Sequence, residues 1–299
     1  MKLTEGRGRV VSTDHVVQRP LGGHHAESRI PVRGRSVRQR SRRPVGVGAI
    51  VGRSHANRID CGTGPTPTPV GQRFTDTFAY KDLKLTFTFS CYLIKHGDDY
   101  MVWDRGFAPS TSPNAWNVGI ADRLKELKVA PERVKYVGIS HCHGDHTGQL
   151  ASLTNATLLI GKGDNWDGIT APTPMQGANV AGFKSWIGES RKVEPLTADR
   201  DVFGDGSVIV LRMLGHTPGH SCLLVRLKEM GPVLLSGDLV HFRENYEGNG
   251  VPSFNFDRAA TVASIERMKQ IAANLKATVV IQHDMRDIGK LPAFPAAAK

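Results

Sequence analysis

At 299 residues and 39% hydrophobic, the chain can bury a full core as one large domain or two small ones, and it reads as a soluble globular protein. A formal net charge of +11 would suit a nucleic-acid binder, but residues 1–60 hold thirteen Lys and Arg against four Asp and Glu, a net +9, leaving +2 for the rest. This uneven spread argues against nucleic acid as the partner of the main body, and no stretch reaches the roughly 18 apolar residues of a membrane span.

Taken from the N-terminus, residues 1–60 carry twelve Arg, one Lys and no Phe, Trp or Tyr, interspersed with Gly, Pro, Ser and Val. Such a composition buries too little apolar surface to offset its ordering entropy. Residues 1–60 are therefore expected to be a disordered Arg-rich extension and residues 61–299 the folded domain. Ser41-Arg42-Arg43 before the weakly apolar run 44–52 has the outline of a twin-arginine export signal, but Arg53 ends that run and no small-x-small cleavage site follows. An Arg-rich arm could also touch nucleic acid or anionic lipid; a dispensable N-terminus is the simpler reading. Cys61, Cys91, Cys142 and Cys222 are widely spaced, so neither a disulfide framework nor a thiolate zinc site is indicated, and a reducing cytoplasm is the expected compartment.

Past the Pro/Thr-rich turn at 64–69, short apolar runs of strand length begin, at 85–94 and 100–103, separated by His96-Gly97-Asp98-Asp99. Ile120, Leu124, Leu127 and Val129 then share one face of a helix. Further strands are expected at 134–139, 156–160, 208–214, 222–227 and 233–235. Val262, Ile265, Met268, Ile271 and Leu275 recur at helical spacing behind an N-cap at Asp257, and a last strand is expected at 278–281. Many strands with few, separated helices suggest two sheets with helices outside.

The strand at 134–139 runs into Ser140-His141-Cys142-His143-Gly144-Asp145-His146. If the chain stays extended, His141 and His143 face one side and Cys142 the other. Gly144 then permits a turn that sends Asp145 and His146 toward a neighbouring point, so one loop could serve two metals. Histidine and aspartate are common in polar loops, and one such run could be incidental. However, His216-Thr217-Pro218-Gly219-His220, Gly237-Asp238 and His283-Asp284 also sit just past strand ends, where side chains from separate strands can gather.

Read for these motifs, the sequence from about Asp60 onward resembles the metallo-β-lactamase superfamily of metal-dependent hydrolases. The resemblance implies an α/β fold, the four-layer αββα sandwich. It implies that His141, His143 and His216 bind one zinc, that Asp145, His146 and His283 bind a second, and that Asp238 bridges both. His220 would then be a supporting residue. Imidazole and carboxylate ligands without thiolate suit two Zn²⁺, with Mn²⁺, Fe²⁺ or Co²⁺ also compatible. Two such ions can share a bridging water and give hydroxide at neutral pH, while Asp145 passes a proton to the leaving group.

Within the superfamily the sequence is most similar to N-acyl-homoserine lactonases. Cys91 to His96 before Trp103-Asp104, Arg243-Glu244-Asn245-Tyr246-Glu247, Val251-Pro252, Phe256-Asp257 and the closing 292–295 carry this resemblance. It implies a small acylated lactone as substrate, opened in quorum quenching, and a homodimer would fit. Two positions depart from the pattern. Relatives commonly have Asp-Thr-Gly where this chain has Asp104-Arg105-Gly106, and a Tyr that contacts the substrate carbonyl is replaced by His241. A neutral His241 could donate the same hydrogen bond or be a bystander.

Other readings fit less well. A β-lactamase of the mononuclear or B3 type would lack the carboxylate at Asp238. A glutathione thioesterase would carry a long helical C-terminus, and only 16 residues follow His283. A nuclease would need an extra domain or exosite, and an RNA-binding enzyme would have to use the Arg-rich arm. Phosphotriester hydrolysis is a plausible side activity of the same hydroxide, and a non-catalytic metal binder would be expected to lack ligands.

Overall fold

The computed structural model describes residues 54–71, 73–108, 119–163, 166–188 and 191–299. In chain order these form β1 Ser54–Thr63, β2 Thr68–Pro69, β3 Lys84–Leu85, β4 Thr88–His96, β5 Asp99–Trp103, α1 Ile120–Glu126, β6 Val134–Gly138, α2 Gly144–Thr147 and β7 Thr157–Gly161. The second half continues with α3 Trp166–Thr170, α4 Val180–Phe183, β8 Val193–Leu196, β9 Arg200–Asp201, β10 Val208–Arg212, β11 Ser221–Leu227, β12 Gly231–Leu235, α5 Arg243–Gly248, α6 Arg258–Leu275 and β13 Thr278–Val280.

Strand alternation organises the core. In β4, Tyr92 and Ile94 point into one apolar cluster while Cys91 and Leu93 point into another. In β10, Val208 and Val210 join Tyr92 and Ile94, whereas Leu211 faces Ile265 and Met268 of α6. β11 divides in the same way, with Leu223 and Val225 inward and Cys222 and Leu224 toward α6. Ile120 and Leu124 of α1 and Phe183 of α4 cover the far face of β4. Two sheets buried on both faces, with helices on each outer side, make the expected α/β four-layer sandwich. Hydrogen bonding is continuous from one sheet to the other, in the order β13-β12-β11-β1-β4-β5-β6-β7-β8. The seam between them is a single register pair, Ser54 with Leu227.

The expected strands and both expected helices are present, and the Asp257 carboxylate caps α6 by accepting from the Ala260 N–H at 2.9 Å. Two expectations need correction. The boundary placed at 60/61 falls inside β1, which pairs antiparallel with β4 from Ser54 onward. Its charged residues conceal a strand: Ile59 is buried, and Arg58 is buried along β4, donating through Nε to the Ser90 hydroxyl at 2.8 Å. The rest of the expected extension, residues 1–53, lies outside the described residues. The second correction concerns the cysteines. Cys61 and Cys91 form a disulfide with Cα atoms 6.0 Å apart, within the usual span. Register explains it, since Ile59 lies opposite Cys91 and the ladder shifts between Asp60 and Thr63. Cys142 and Cys222 are buried free thiols, and burial pushes Cys142 up to about 12. Among the described residues, no helix is long and apolar enough to cross a membrane.

At the end of β7, Gly161 meets the turn that follows His216: a Cβ there would overlap the Gly219 carbonyl. Gly161→Ala is therefore expected to lose about 2 kcal/mol or more in urea unfolding. An unchanged midpoint would show that this contact is not tight.

Candidate metal centre

Each candidate side chain leaves the scaffold just past a strand. β6 delivers His141 and His143, and between them Cys142 turns into the apolar core. The chain stays extended through His143 (φ −69°, ψ 160°) before α2 begins, which carries Asp145 and His146 to the adjacent point. β10 leads to His216, β12 to Asp238 and β13 to His283. Gly237 takes a left-handed φ of +51°, and a Cβ there would fall 2.7 Å from the Ser140 Cβ and 2.8 Å from His220 Nε2. The tight approach that brings Asp238 into the cluster thus requires glycine.

The seven side chains gather into two groups that share Asp238: His141, His143 and His216 in one, Asp145, His146 and His283 in the other. Within each group the ligand atoms all lie within 4.8 Å of one another. Asp238 turns one oxygen to each. Its Oδ2 lies 3.7 Å from His141 Nε2 and 3.6 Å from His216 Nε2. Its Oδ1 lies 3.0 Å from His146 Nε2 and 2.8 Å from His283 Nε2. Asp145 Oδ2 closes the second group at 3.4 Å from His146 and 3.5 Å from His283. His143 Nδ1 sits 2.8 Å from His141 Nε2 and 3.2 Å from His216 Nε2.

Electrostatics differ between the groups. Burial drives His141 and His216 well below the ordinary histidine range, and burial also lowers His143. His146 and His283 are buried too, but the carboxylates of Asp238 and Asp145 outweigh that penalty and raise both. Burial would raise Asp145 and Asp238. The imidazoles outweigh it, led by His146 for Asp145, which falls to about 2, and by His283 for Asp238, held well below the carboxylate range.

The arrangement fits a cation. His146 Nε2, His283 Nε2 and Asp238 Oδ1 are buried without hydrogen-bond partners, although buried polar atoms are nearly always satisfied. One divalent ion among them would satisfy all three. The outward ring nitrogens are already engaged, which fixes the tautomers. His283 Nδ1 donates to the Thr88 carbonyl at 2.8 Å, and His216 Nδ1 meets Asn255 Oδ1 at 2.9 Å. His146 Nδ1 donates to Asp104 Oδ2 at 3.0 Å. His220 belongs to neither group: its Nδ1 donates to the Met213 carbonyl, and its Nε2 accepts the Asp238 N–H at 3.0 Å.

Sequence reasoning did not single out Asp104, Thr88 or Asn255 as partners of the cluster. Asp104 had a signal in its place at the end of β5, but its role comes from the neighbour β6: its carboxylate accepts from the Ser140 N–H at 2.7 Å and the Ser140 hydroxyl at 3.0 Å. Arg105, the departure from the family pattern, is wholly buried, and burial lowers it to about 9. Its guanidinium reaches Ser152, and its N–H donates to the His146 carbonyl at 2.8 Å.

His241 faces the cluster with Nε2 3.2 Å from Asp238 Oδ2, and its ring stacks on His283 with centroids 5.6 Å apart. Phe74 and Phe254 flank it at 5.4 and 5.6 Å. They wall a cleft of about 480 Å³ that opens onto Asp145, Asp238, His241 and His283. A second cavity, of about 640 Å³, adjoins it at His143, Gly177 and Phe254.

Known proteins resemble this chain in sequence and in fold. The model of the metallo-beta-lactamase superfamily matches residues 89–283. The N-acyl homoserine lactonase AttM of Rhizobium radiobacter is 32% identical over 228 residues, 69% of this chain and 86% of that one. An N-acyl homoserine lactonase of a Bacillus species is 30% identical over 176 residues, 59% of this chain and 66% of its own. Among solved structures, a quorum-quenching N-acyl homoserine lactone lactonase aligns with TM-score 0.67 at 22% identity, covering 81% of this chain and 97% of that one. AidC, a dizinc quorum-quenching lactonase, aligns with TM-score 0.59 at 15% identity over 83% of this chain and 90% of its own.

Asp104→Asn keeps the shape beside His146 but removes the charge that holds its Nδ1–H. Zinc affinity, measured by competition with a chromophoric chelator, is expected to fall about tenfold to a hundredfold. Unchanged affinity would remove Asp104 from this role.

Proposed function

The chain belongs to the metallo-beta-lactamase superfamily of metal-dependent hydrolases, and on that premise we propose that it opens the lactone ring of N-acyl-homoserine lactones at a dinuclear zinc centre. The observation that carries the proposal is the divided carboxylate of Asp238 at the floor of an apolar cleft. His141, His143 and His216 with Asp238 Oδ2 would hold one ion, and Asp145, His146 and His283 with Oδ1 the other. Imidazole and carboxylate donors without thiolate suit zinc. Bound there, the pair supplies a water acidified toward neutrality and a Lewis acid for the ring carbonyl.

The chain's own residues do the rest. The lactone carbonyl carbon gains a hydroxyl oxygen, the ring C–O bond breaks, and the homoserine oxygen leaves as an alkoxide that needs a proton. Asp145 lines the cleft and is ionised at rest, so it takes the proton that the attacking water gives up and passes it to that oxygen. His241 lines the cleft beside Asp238, from where its imidazole donates a hydrogen bond to the carbonyl oxygen as charge develops on it. Phe74, Phe87 and Phe254 exclude water and pack against the acyl chain.

A pH-stat panel tests this reading with homoserine lactones beside a cephalosporin, a glutathione thioester and a phosphotriester. The lactones are expected to be the preferred substrates. Asp238→Ala is expected to lose bound metal together with at least about a hundredfold of the activity. Failure on every lactone would discard the lactonase reading, and full activity in Asp238→Ala would discard the shared carboxylate.

A further inference from the structure

Arg73 lines the cleft beside Phe74, and among the described residues its guanidinium has no carboxylate within ion-pair distance and no hydrogen-bond acceptor. The carboxylate nearest in sequence is already engaged: Asp76 pairs with Arg258 and accepts the Val251 N–H at 3.0 Å. Instead the guanidinium lies against two aromatic rings, 5.6 Å from the centroid of Phe74 and 5.8 Å from that of Phe254. The backbone of the same residue ties the two walls together, since the Arg73 carbonyl accepts from the Ser253 N–H at 2.9 Å. The exposed cation therefore lines the cleft one ring beyond His241, with no acceptor for its donors among the described residues.

An exposed arginine that lies against two rings and has no acceptor among the described residues can meet one that arrives with the ligand. Resting on the lactonase reading, we propose that Arg73 determines specificity by hydrogen-bonding an acceptor oxygen on the acyl chain a few bonds from the lactone ring. It would favour 3-oxoacyl-homoserine lactones over unsubstituted chains of equal length. The phenyl rings give apolar contact to both chains, which differ by one methylene exchanged for a carbonyl, a change that by itself favours the unsubstituted chain against phenyl walls. The oxygen is the acceptor that distinguishes them, and the guanidinium presents unpaired donors to it from this side of the cleft.

The test compares kcat/KM for a 3-oxoacyl and an unsubstituted acyl-homoserine lactone of one chain length on the wild type, Arg73→Met and Arg73→Lys. The wild type is expected to prefer the 3-oxo substrate about tenfold, the scale of one hydrogen bond to a charged group. Arg73→Met should bring the ratio close to one through a raised KM for the 3-oxo substrate, and Arg73→Lys should restore part of it. Absence of a preference in the wild type, or a ratio unchanged in Arg73→Met, overturns the proposal. Calorimetric binding of the two ring-opened acyl-homoserines to wild type and Arg73→Met gives the same comparison without turnover. Discrimination that depends on Arg73 in binding, with no lactone hydrolysed, would refute the ring-opening reading alone. Lactone hydrolysis with a ratio indifferent to Arg73 would refute this inference alone.

Discussion

The structure depends on one buried carboxylate. Asp238 has its two oxygens facing two separate sets of histidines, and burial alone would push it toward the neutral form. The imidazoles around it reverse that tendency and keep it ionised. A buried charge is tolerated only when it is matched, so the cluster is a mutual arrangement: removing any one member leaves others unpaired. The glycine before Asp238 and the ring of His220 behind its N–H serve this placement.

The fold makes such a cluster attainable because both sheets are buried on both faces. Their edges and strand ends are left to display polar side chains, and the ends of β6, β10, β12 and β13 converge. Supporting contacts come from the same layers. Thr88 at the start of β4 receives the His283 proton, and Asp104 past the end of β5 receives that of His146. The segments on either side of β3 and the loop before α6 add phenyl rings above the cluster, turning a polar floor into a cleft with apolar walls.

The convergence of these side chains was legible because alternation and turn chemistry are local: extended backbone puts His141 and His143 on one side, and Gly144 redirects Asp145 and His146. Most strands were legible for the same reason, as short β-branched runs bounded by turns. What stayed hidden depends on partners distant in sequence. Arg58 and Asp60 make β1 look like part of a charged extension, yet β4 covers the alternating Ile59 and Cys61. The Cys61–Cys91 bond needs the register shift at the end of β1, which no spacing rule reveals. Asp104 and Asn255 become partners of the cluster only when separate strands and loops meet. The phenyl walls share no periodicity, since Phe74, Phe87 and Phe254 come from three separate connections, before β3, between β3 and β4, and before α6.

Anomalous diffraction at the zinc edge from crystals of the zinc-loaded protein tests most directly whether Asp238 joins two metal sites. The account predicts two peaks about 3.5 to 4 Å apart, with one Asp238 oxygen directed to each. A single peak, or two peaks with Asp238 turned away from one of them, would contradict it.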